Sequence, residues 1–153
     1  MRTSIAGMAV QVFILFISLV ILPIYFMSII QYYKDINRIQ VAERNFVDAV
    51  IDNRQVSDAV LSELNIQLAA VSTPVTVSIK REVRAIDPRP GEIGQTEVRW
   101  VFVEWHQNDD WNQGDIVTVS VKQNNPNMMQ QLSSVFLGSG YNNLNMDLAG
   151  MVR

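Results

Sequence analysis

The hydrophobic residues of this chain are concentrated near its start, and the pattern becomes periodic only afterwards. Between Thr3 and Tyr33 no side chain is charged, and residues 12–30 are almost continuously apolar. A helix of about 20 apolar residues crosses the roughly 30 Å hydrocarbon core of a membrane. The apolar regions of cleaved signal peptides usually run to only about 7–15 residues. Residues 1–33 are therefore predicted to form a retained transmembrane helix.

Pro23 lies inside this apolar run. It removes one backbone donor, and its ring clashes with the carbonyl of Leu19 one turn earlier. In lipid or in a helix bundle, hydroxyl side chains and neighbouring helices can satisfy the freed backbone groups. The helix is therefore predicted to bend near residues 19–23 rather than to end there.

After residue 33 the pattern becomes that of an amphipathic helix, because apolar residues recur at spacings of three, four and seven. These are Ile36, Ile39, Phe46, Val47, Val50 and Ile51. The charged residues assigned to the positions between them are Lys34, Asp35, Arg38, Glu43, Arg44 and Asp48. No Gly or Pro interrupts residues 24–52. One helix from about residue 4 to residue 52 is predicted, with residues 34–52 as its amphipathic continuation and residues 34–153 as a globular head.

Beyond residue 52 the head combines helical and strand patterns. Ser57 with Asp58 forms a helix start, and Pro74 ends the apolar face that follows. Alternation predicts strands near residues 75–84, 98–105 and 116–121, with a turn-rich loop at 87–94. The simplest connections make these three consecutive antiparallel strands. A short helix over 128–137 and a last strand within 141–152 complete the prediction.

The predicted fold class is therefore α+β: a long N-terminal apolar helix continuing into a small head with a second helix and a three- to four-stranded antiparallel sheet. The head core is predicted to contain Phe46, Val47, Val50, Ile51, Leu64, Leu68, Val77, Val98, Trp100 and Val119. The three tryptophans Trp100, Trp105 and Trp111 admit two interpretations. They form an aromatic binding platform, or they are sheet core plus one exposed loop aromatic, and the second is the commoner arrangement.

Composition removes several classes of function. The chain has no Cys, so it has no disulfide, thiolate metal site or Cys nucleophile. The formal charge of −3 builds no positive field for a phosphate backbone, so no direct nucleic-acid partner is indicated. The single imidazole, His106, is predicted to be structural or solvated.

The remaining candidate chemistry is a cluster of oxygen side chains at residues 108–115. Calcium is an alternative for it, because carboxylate and amide oxygens are its usual ligands. The residues are Asn108, Asp109, Asp110, Asn112 and Asp115. Their spacing does not match a helix–loop–helix calcium loop, and an ordinary turn rich in Asn and Asp is favoured. We therefore predict no metal, no cofactor and no enzymatic activity.

The apolar run, the proline within it and the amphipathic continuation through Ile51 together resemble the type IV pilin superfamily. The second helix around residues 61–68 and the strand at 114–119 make the chain more similar to the tight-adherence branch, including pilin-like proteins of Gram-positive secretion and conjugation loci. The resemblance implies filaments assembled by packing of the N-terminal helices. The residues implied in filament-core packing are Phe13, Phe16, Leu19, Leu22, Pro23, Phe26 and Ile30.

The sequence also departs from the family pattern at the N-terminal end. A pilin precursor usually carries a Gly at the cut and a Glu five residues later. Gly7 is a candidate cut, but the fifth residue after it is Val12, and Glu43 is the first Glu in the chain. Gln11 is the amide side chain placed to form a polar contact between neighbouring helices.

The resemblance implies a structural subunit, a pilin or pseudopilin, of an extracellular or envelope-spanning filament serving secretion or adhesion. Its expected partners are copies of itself in a helical homopolymer, the assembly machinery and, before assembly, the cytoplasmic membrane. The head is expected outside the cell, in a surface filament. The alternative is a single-span membrane protein whose head binds a secretion or surface partner without polymerising.

Overall fold

The N-terminal half of the chain is dominated by one long helical run. The structure is a computed structural model that describes residues 5–88, 96–138 and 143–153. Helix α1 covers Ile5–Phe16, a π-helical segment covers Ile17–Ile21, and helix α2 covers Leu22–Asn53. Residues 1–4 of the predicted transmembrane helix, residues 89–94 of the predicted loop and residues 141–142 of the last predicted strand lie outside the described residues. The predicted α+β class, with its long apolar helix and four-stranded antiparallel sheet, is confirmed.

The π-helical segment is the distortion that Pro23 imposes. The backbone N–H of Leu22 donates to the carbonyl of Ile17, one residue further back than in an α-helix. Insertion of one residue into the helical ladder is a common way to absorb a local conflict in hydrogen bonding. The helix continues directly into α2 after this segment.

The two shorter helices begin at side-chain caps. Helix α3 covers Asp58–Ala69, and the Ser57 hydroxyl accepts from the Val60 backbone N–H. Helix α4 covers Met128–Leu137 and begins with a reciprocal capping box between Asn127 and Gln130. Each cap satisfies backbone N–H groups that a first helical turn leaves without partners.

The sheet consists of β1 (Val75–Pro88), β2 (Thr96–Val103), β3 (Ile116–Gln123) and β4 (Asn145–Met151). The spatial order is β2-β1-β3-β4, and every neighbouring pair is antiparallel. The prediction of three strands adjacent in chain order is wrong, because β3 pairs with β1 and not with β2. Strand β1 is long enough to serve both neighbours: residues 75–82 pair with β3, and residues 81–88 pair with β2.

The chain divides into two compact units. One consists of Met1–Ile36 and Pro126–Asn142, and the other consists of Asn37–Asn125 and Asn143–Arg153. The second unit holds the hydrophobic core, built from one side of α2, from α3 and from one face of the sheet. Its buried apolar members are Ile39, Ala42, Phe46, Val47, Val50, Val56, Val60, Leu64, Leu68, Trp111, Val117, Val119, Val121 and Val152.

Two positions assigned to this core by sequence are exposed. Val98 is 44% exposed and Trp100 is 41% exposed, so their predicted core packing is wrong. Both lie on the open side of the sheet, the face opposite to the buried Val117, Val119 and Val121. Trp100 also pairs with Arg84, beyond the last residue of β1 that β3 contacts. The predicted arrangement of tryptophans is reversed, since the loop residue Trp111 is the buried one.

Candidate functional site: the uncovered apolar helix

The apolar segment, residues 5–33 of the helical run, has the largest exposed hydrophobic surface in the described part of the chain. No residue of α1 or of the π-helical segment is buried. The described chain has one helical run, Ile5–Asn53, that is long and apolar enough to cross a membrane, and its most apolar window contains no buried residue.

The residues predicted for filament-core packing all lie on this surface. Their side chains are between 43% and 73% exposed, with Leu22 the least and Leu19 the most exposed. The others measured in that range are Phe13, Phe16, Phe26 and Ile30, and Pro23 is also exposed. A helix that is apolar all round is typically enclosed by lipid or by other helices. Within one described chain, these side chains are spread along the helical run and do not form a common core.

One side of the apolar segment is partly covered. From residue 17 onward the half-buried positions recur at helical spacing, and Gly7 is half-buried as well. The positions after residue 16 are Ile17, Ile21, Tyr25, Ser28, Ile29, Gln31 and Tyr32. The Tyr25 hydroxyl lies 3.4 Å from the Ser133 hydroxyl of α4. Helix α4 therefore contacts this side of the segment, and the remaining sides are left open.

The polar groups of this helical region have partners on the helix itself. Ser28 donates to the carbonyl of Ile24 over 2.8 Å. Gln31 donates to Asp35 over 3.0 Å, and Asp35 is only 3% exposed. The sequence pattern placed Asp35 between the apolar positions of the amphipathic helix, and the structure shows that it is buried. Gln11, the predicted polar contact between helices, is exposed on α1.

Glu43 is a second buried acid that the sequence pattern did not reveal. It is 3% exposed, and its Oε1 has no hydrogen-bond partner among the described residues. The pKa of Glu43 is raised from 4.5 to about 7, mainly by burial and also by the Asp147 carboxylate, while a backbone hydrogen bond at Val121 acts in the opposite direction. The sequence pattern placed Glu43 between the apolar positions, whereas the structure buries it with them. A signal was present, since Glu43 follows Ile39 by four residues and precedes Phe46 by three.

Asp115, one of the residues considered as an alternative calcium ligand, is engaged by other groups of the protein. Asp115 pairs with Arg81 through two contacts of 2.9 and 2.5 Å to one carboxylate oxygen, which also accepts from the Asn112 backbone. The Arg81 guanidinium lies 5.1 Å from the centre of the Trp111 ring. No group of three or more candidate metal ligands occurs among the described residues. The turn therefore buries an ion pair beneath an aromatic ring.

The remaining candidates are dispersed. Asp109 accepts from the His106 backbone over 2.6 Å and lies 3.5 Å from the exposed His106 ring. Asp110 forms an isolated bridge to Gln55. Trp105 donates from its ring nitrogen to the Ile79 carbonyl over 3.0 Å. The three tryptophans do not form one exposed platform, because Trp111 is buried and Trp105 is half-buried.

Comparison with protein-family models, with curated protein sequences and with solved structures found no match. The chain's own surfaces are therefore the guide to its function, and in the described part of the chain most of the exposed large hydrophobic residues lie on the apolar segment.

Proposed function

We propose that this protein is a structural subunit of a type IV-like filament, a pilin or pseudopilin, assembled by packing of its N-terminal apolar helices. The observation that carries the proposal is the exposure of the apolar segment on most of its circumference. Full burial of one large apolar side chain contributes about 1.5–3 kcal/mol, so six of them together favour enclosure by on the order of 10 kcal/mol.

The apolar segment is long enough for both states of such a subunit, the one in the membrane and the one in the filament. At 1.5 Å per residue, residues 5–33 extend over about 43 Å, which exceeds the roughly 30 Å needed to cross hydrocarbon. Before assembly, the subunit resides in the cytoplasmic membrane with lipid around this segment. On assembly, copies of the same segment replace the lipid, with Gln11 as a polar contact between neighbouring helices.

A single-span membrane protein with a partner-binding head is the second candidate. It is supported by the same apolar window, which contains no buried residue, because one isolated helix in lipid has no protein neighbours to bury it. The two candidates differ in what surrounds the helix in the mature state. Filament formation requires protein around it, whereas a single-span anchor keeps lipid there.

The test is the assembly phenotype of Phe16→Lys in cells, measured by electron microscopy of sheared surface material and by mass spectrometry of any filament. A lysine at a helix–helix contact introduces a charge with no partner, so filaments should be lost. Phe16→Leu, which keeps the site apolar, should assemble normally.

Membrane fractionation separates failed assembly from failed insertion. The translocon penalty for a central lysine is only about 2.5–3.5 kcal/mol, and the long apolar segment can tolerate it. We therefore expect Phe16→Lys in the membrane fraction at normal level. Abundant normal filaments from this variant would show that the helix does not form the filament core, as would an absence of filaments from the unaltered protein.

A further inference from the structure

The four-stranded sheet ends in two strands that pair on one side only. In the order β2-β1-β3-β4, strands β2 and β4 are the outer ones within the described chain. Every described residue of β2 is exposed except the half-buried Val101. An unpaired strand edge presents a row of backbone donors and acceptors that can pair with another chain.

The strand directions make these two edges complementary. Each neighbouring pair in the sheet is antiparallel, so β2 and β4 run in opposite directions. A second copy that continues the sheet without inversion therefore places its β2 antiparallel to β4 of the first copy. The same operation keeps the helix-packed face of both sheets on the same side. The joined sheet then has the antiparallel hydrogen bonding present in each copy.

An open groove lies beside β4, and the order of acidic and basic residues along it is complementary to the order of charged residues along β2. The groove has a volume of about 770 Å³ and is lined by Asp48, Ile51, Asp52, Arg54, Gly150, Met151 and Arg153. Its acidic residues come from α2, whereas Arg54 donates to the carbonyl of Arg153 just past the end of β4. Acidic groups thus flank β4, and basic groups lie at its C-terminal end.

On β2, the residues that point to the side of the sheet where the helices pack are, in order along the strand, Glu97, Arg99, Val101 and Val103. In an antiparallel arrangement, Glu97 comes nearest to the basic end of the groove, and Arg99 comes next to its acidic part. Arg99 is already paired with Asp87 over 2.8 Å, but both side chains are at least half exposed. Exposed ion pairs contribute little, so Arg99 can exchange that partner for one in the groove.

On the open side of the sheet, both outer strands also expose apolar side chains. Val98, Trp100 and Phe102 are exposed on this face of β2, and Ala149 and Met151 are exposed on the same face of β4. Pairing of the two edges places these two apolar rows side by side. Thioether–aromatic contacts between Met151 and the β2 aromatics would be favourable.

We infer that the β2 edge of one copy pairs with the β4 edge of the next copy, so that the heads form a continuous sheet between subunits. This inference depends on the proposed function and names a second contact within the same polymer. The contact joins two different surfaces of the same chain, so it propagates head to tail instead of closing as a symmetric dimer.

The test uses the absence of cysteine from the full chain. The double variants Val98→Cys with Met151→Cys, and Val98→Cys with Ala149→Cys, sample two neighbouring registers. Strands β2 and β4 of one chain are three strand spacings apart, about 14 Å, whereas a disulfide needs Cα atoms within about 7 Å. Any disulfide in these variants therefore joins two copies.

We expect at least one double variant, as full chain in mild detergent and in sheared filaments, to give an oxidation-dependent ladder of dimers, trimers and larger species. Single-cysteine variants can give dimers only. A control pair, Val98→Cys with Ile66→Cys, places the second thiol at an exposed position on α3 and should give no ladder. If neither double variant exceeds this control, the edge contact is wrong. A crosslink to one other protein of fixed mass, without a ladder, would also overturn pairing between copies.

Charge reversal gives an independent measurement in the variant that forms the ladder. Asp52→Arg should reduce the crosslinked species about tenfold, which corresponds to about 1.4 kcal/mol. Adding Arg99→Asp should restore them, whereas Glu63→Arg on α3 should leave them unchanged. A double reversal as deficient as the single one would contradict the proposed pairing.

The two proposals fail in different ways. Normal filaments without a ladder would reject the edge contact and leave the helix-packed filament in place. A ladder in detergent, with no filaments in any preparation from cells, would reject the filament and retain the edge contact.

Discussion

Phe16 and Phe46 lie on the same helical run in opposite surroundings. Phe16, in the apolar segment, is 53% exposed, whereas Phe46, in the amphipathic continuation, is 2% exposed. The continuation finds its partners within the chain, among α3 and the helix-packed face of the sheet. Most of the apolar segment finds none among the described residues. Burial along this helical run therefore depends on which distant residues each part contacts, and most of the apolar segment contacts none among the described residues.

The largest expected difference is between alanine substitutions at these two phenylalanines. Phe46→Ala should lower the free energy of unfolding by about 3–5 kcal/mol, because it leaves a cavity in a packed core. Phe16→Ala should change it by less than about 0.5 kcal/mol. Chemical denaturation of the full chain in mild detergent measures both. Equal losses would mean that the apolar segment also packs within the chain.

The same contrast applies to two tryptophans of the second unit. Trp111 is 2% exposed and lies against Arg81, so Trp111→Ala should cost about 3–5 kcal/mol. Trp100→Ala should cost less than about 1 kcal/mol, since the side chain is on the open side of the sheet. Thermal melts of the two variants, in parallel with the unaltered chain, check the order. A reversed order would restore the assignment of Trp100 to the core.

Glu43 makes the packing of the continuation sensitive to pH. Its pKa is about 7 in the folded chain and 4.5 when unperturbed, so the folded state holds the proton more tightly. The fold is therefore favoured below pH 4.5, loses stability as the pH rises towards 7, and carries the full cost of the buried charge above that. The difference of 2.5 pKa units corresponds to about 3 kcal/mol.

Glu43→Gln should remove this slope and raise stability at pH 8, measured by denaturation at several pH values. Glu63→Gln is the matched control, because Glu63 is an exposed glutamate on α3. A pH profile in Glu43→Gln that follows that of the unaltered chain would assign the slope to other groups.

The smallest expected effect concerns the close approach of α2 to β4. A Cβ added to Gly150 would lie 2.4 Å from a methyl carbon of Val47 and 2.8 Å from the terminal carbon of Ile51. Gly150→Ala should therefore cost about 1–3 kcal/mol through overpacking. Ala149→Val, on the exposed face of the same strand, should stay within about 0.5 kcal/mol. Thermal unfolding checks the pair, and equal midpoints would mean that the backbone shifts to make room.

Helices and their distortions were predicted correctly where the signal lay within a few neighbouring residues of the sequence. The uncharged run identified the apolar segment, Pro23 identified the place of its distortion, and Ser57 identified the start of α3. The residues predicted for filament-core packing lie on one helical run, where their side chains are exposed. Their assembly role stays a prediction, because it concerns contacts between chains.

Hydrophobic periodicity and capping act over a few residues, so the sequence by itself determined the helices, the strand segments and the α+β class. The order of the strands depended on how β1 divides its length between β2 and β3, a contact between distant segments. Strand β2 has apolar residues on both faces, so alternation alone could not show that Trp100 is exposed. The burial of Trp111 required Arg81 and Asp115 to meet across the fold. Only the tertiary structure decided these points, because burial depends on which distant residues cover a surface.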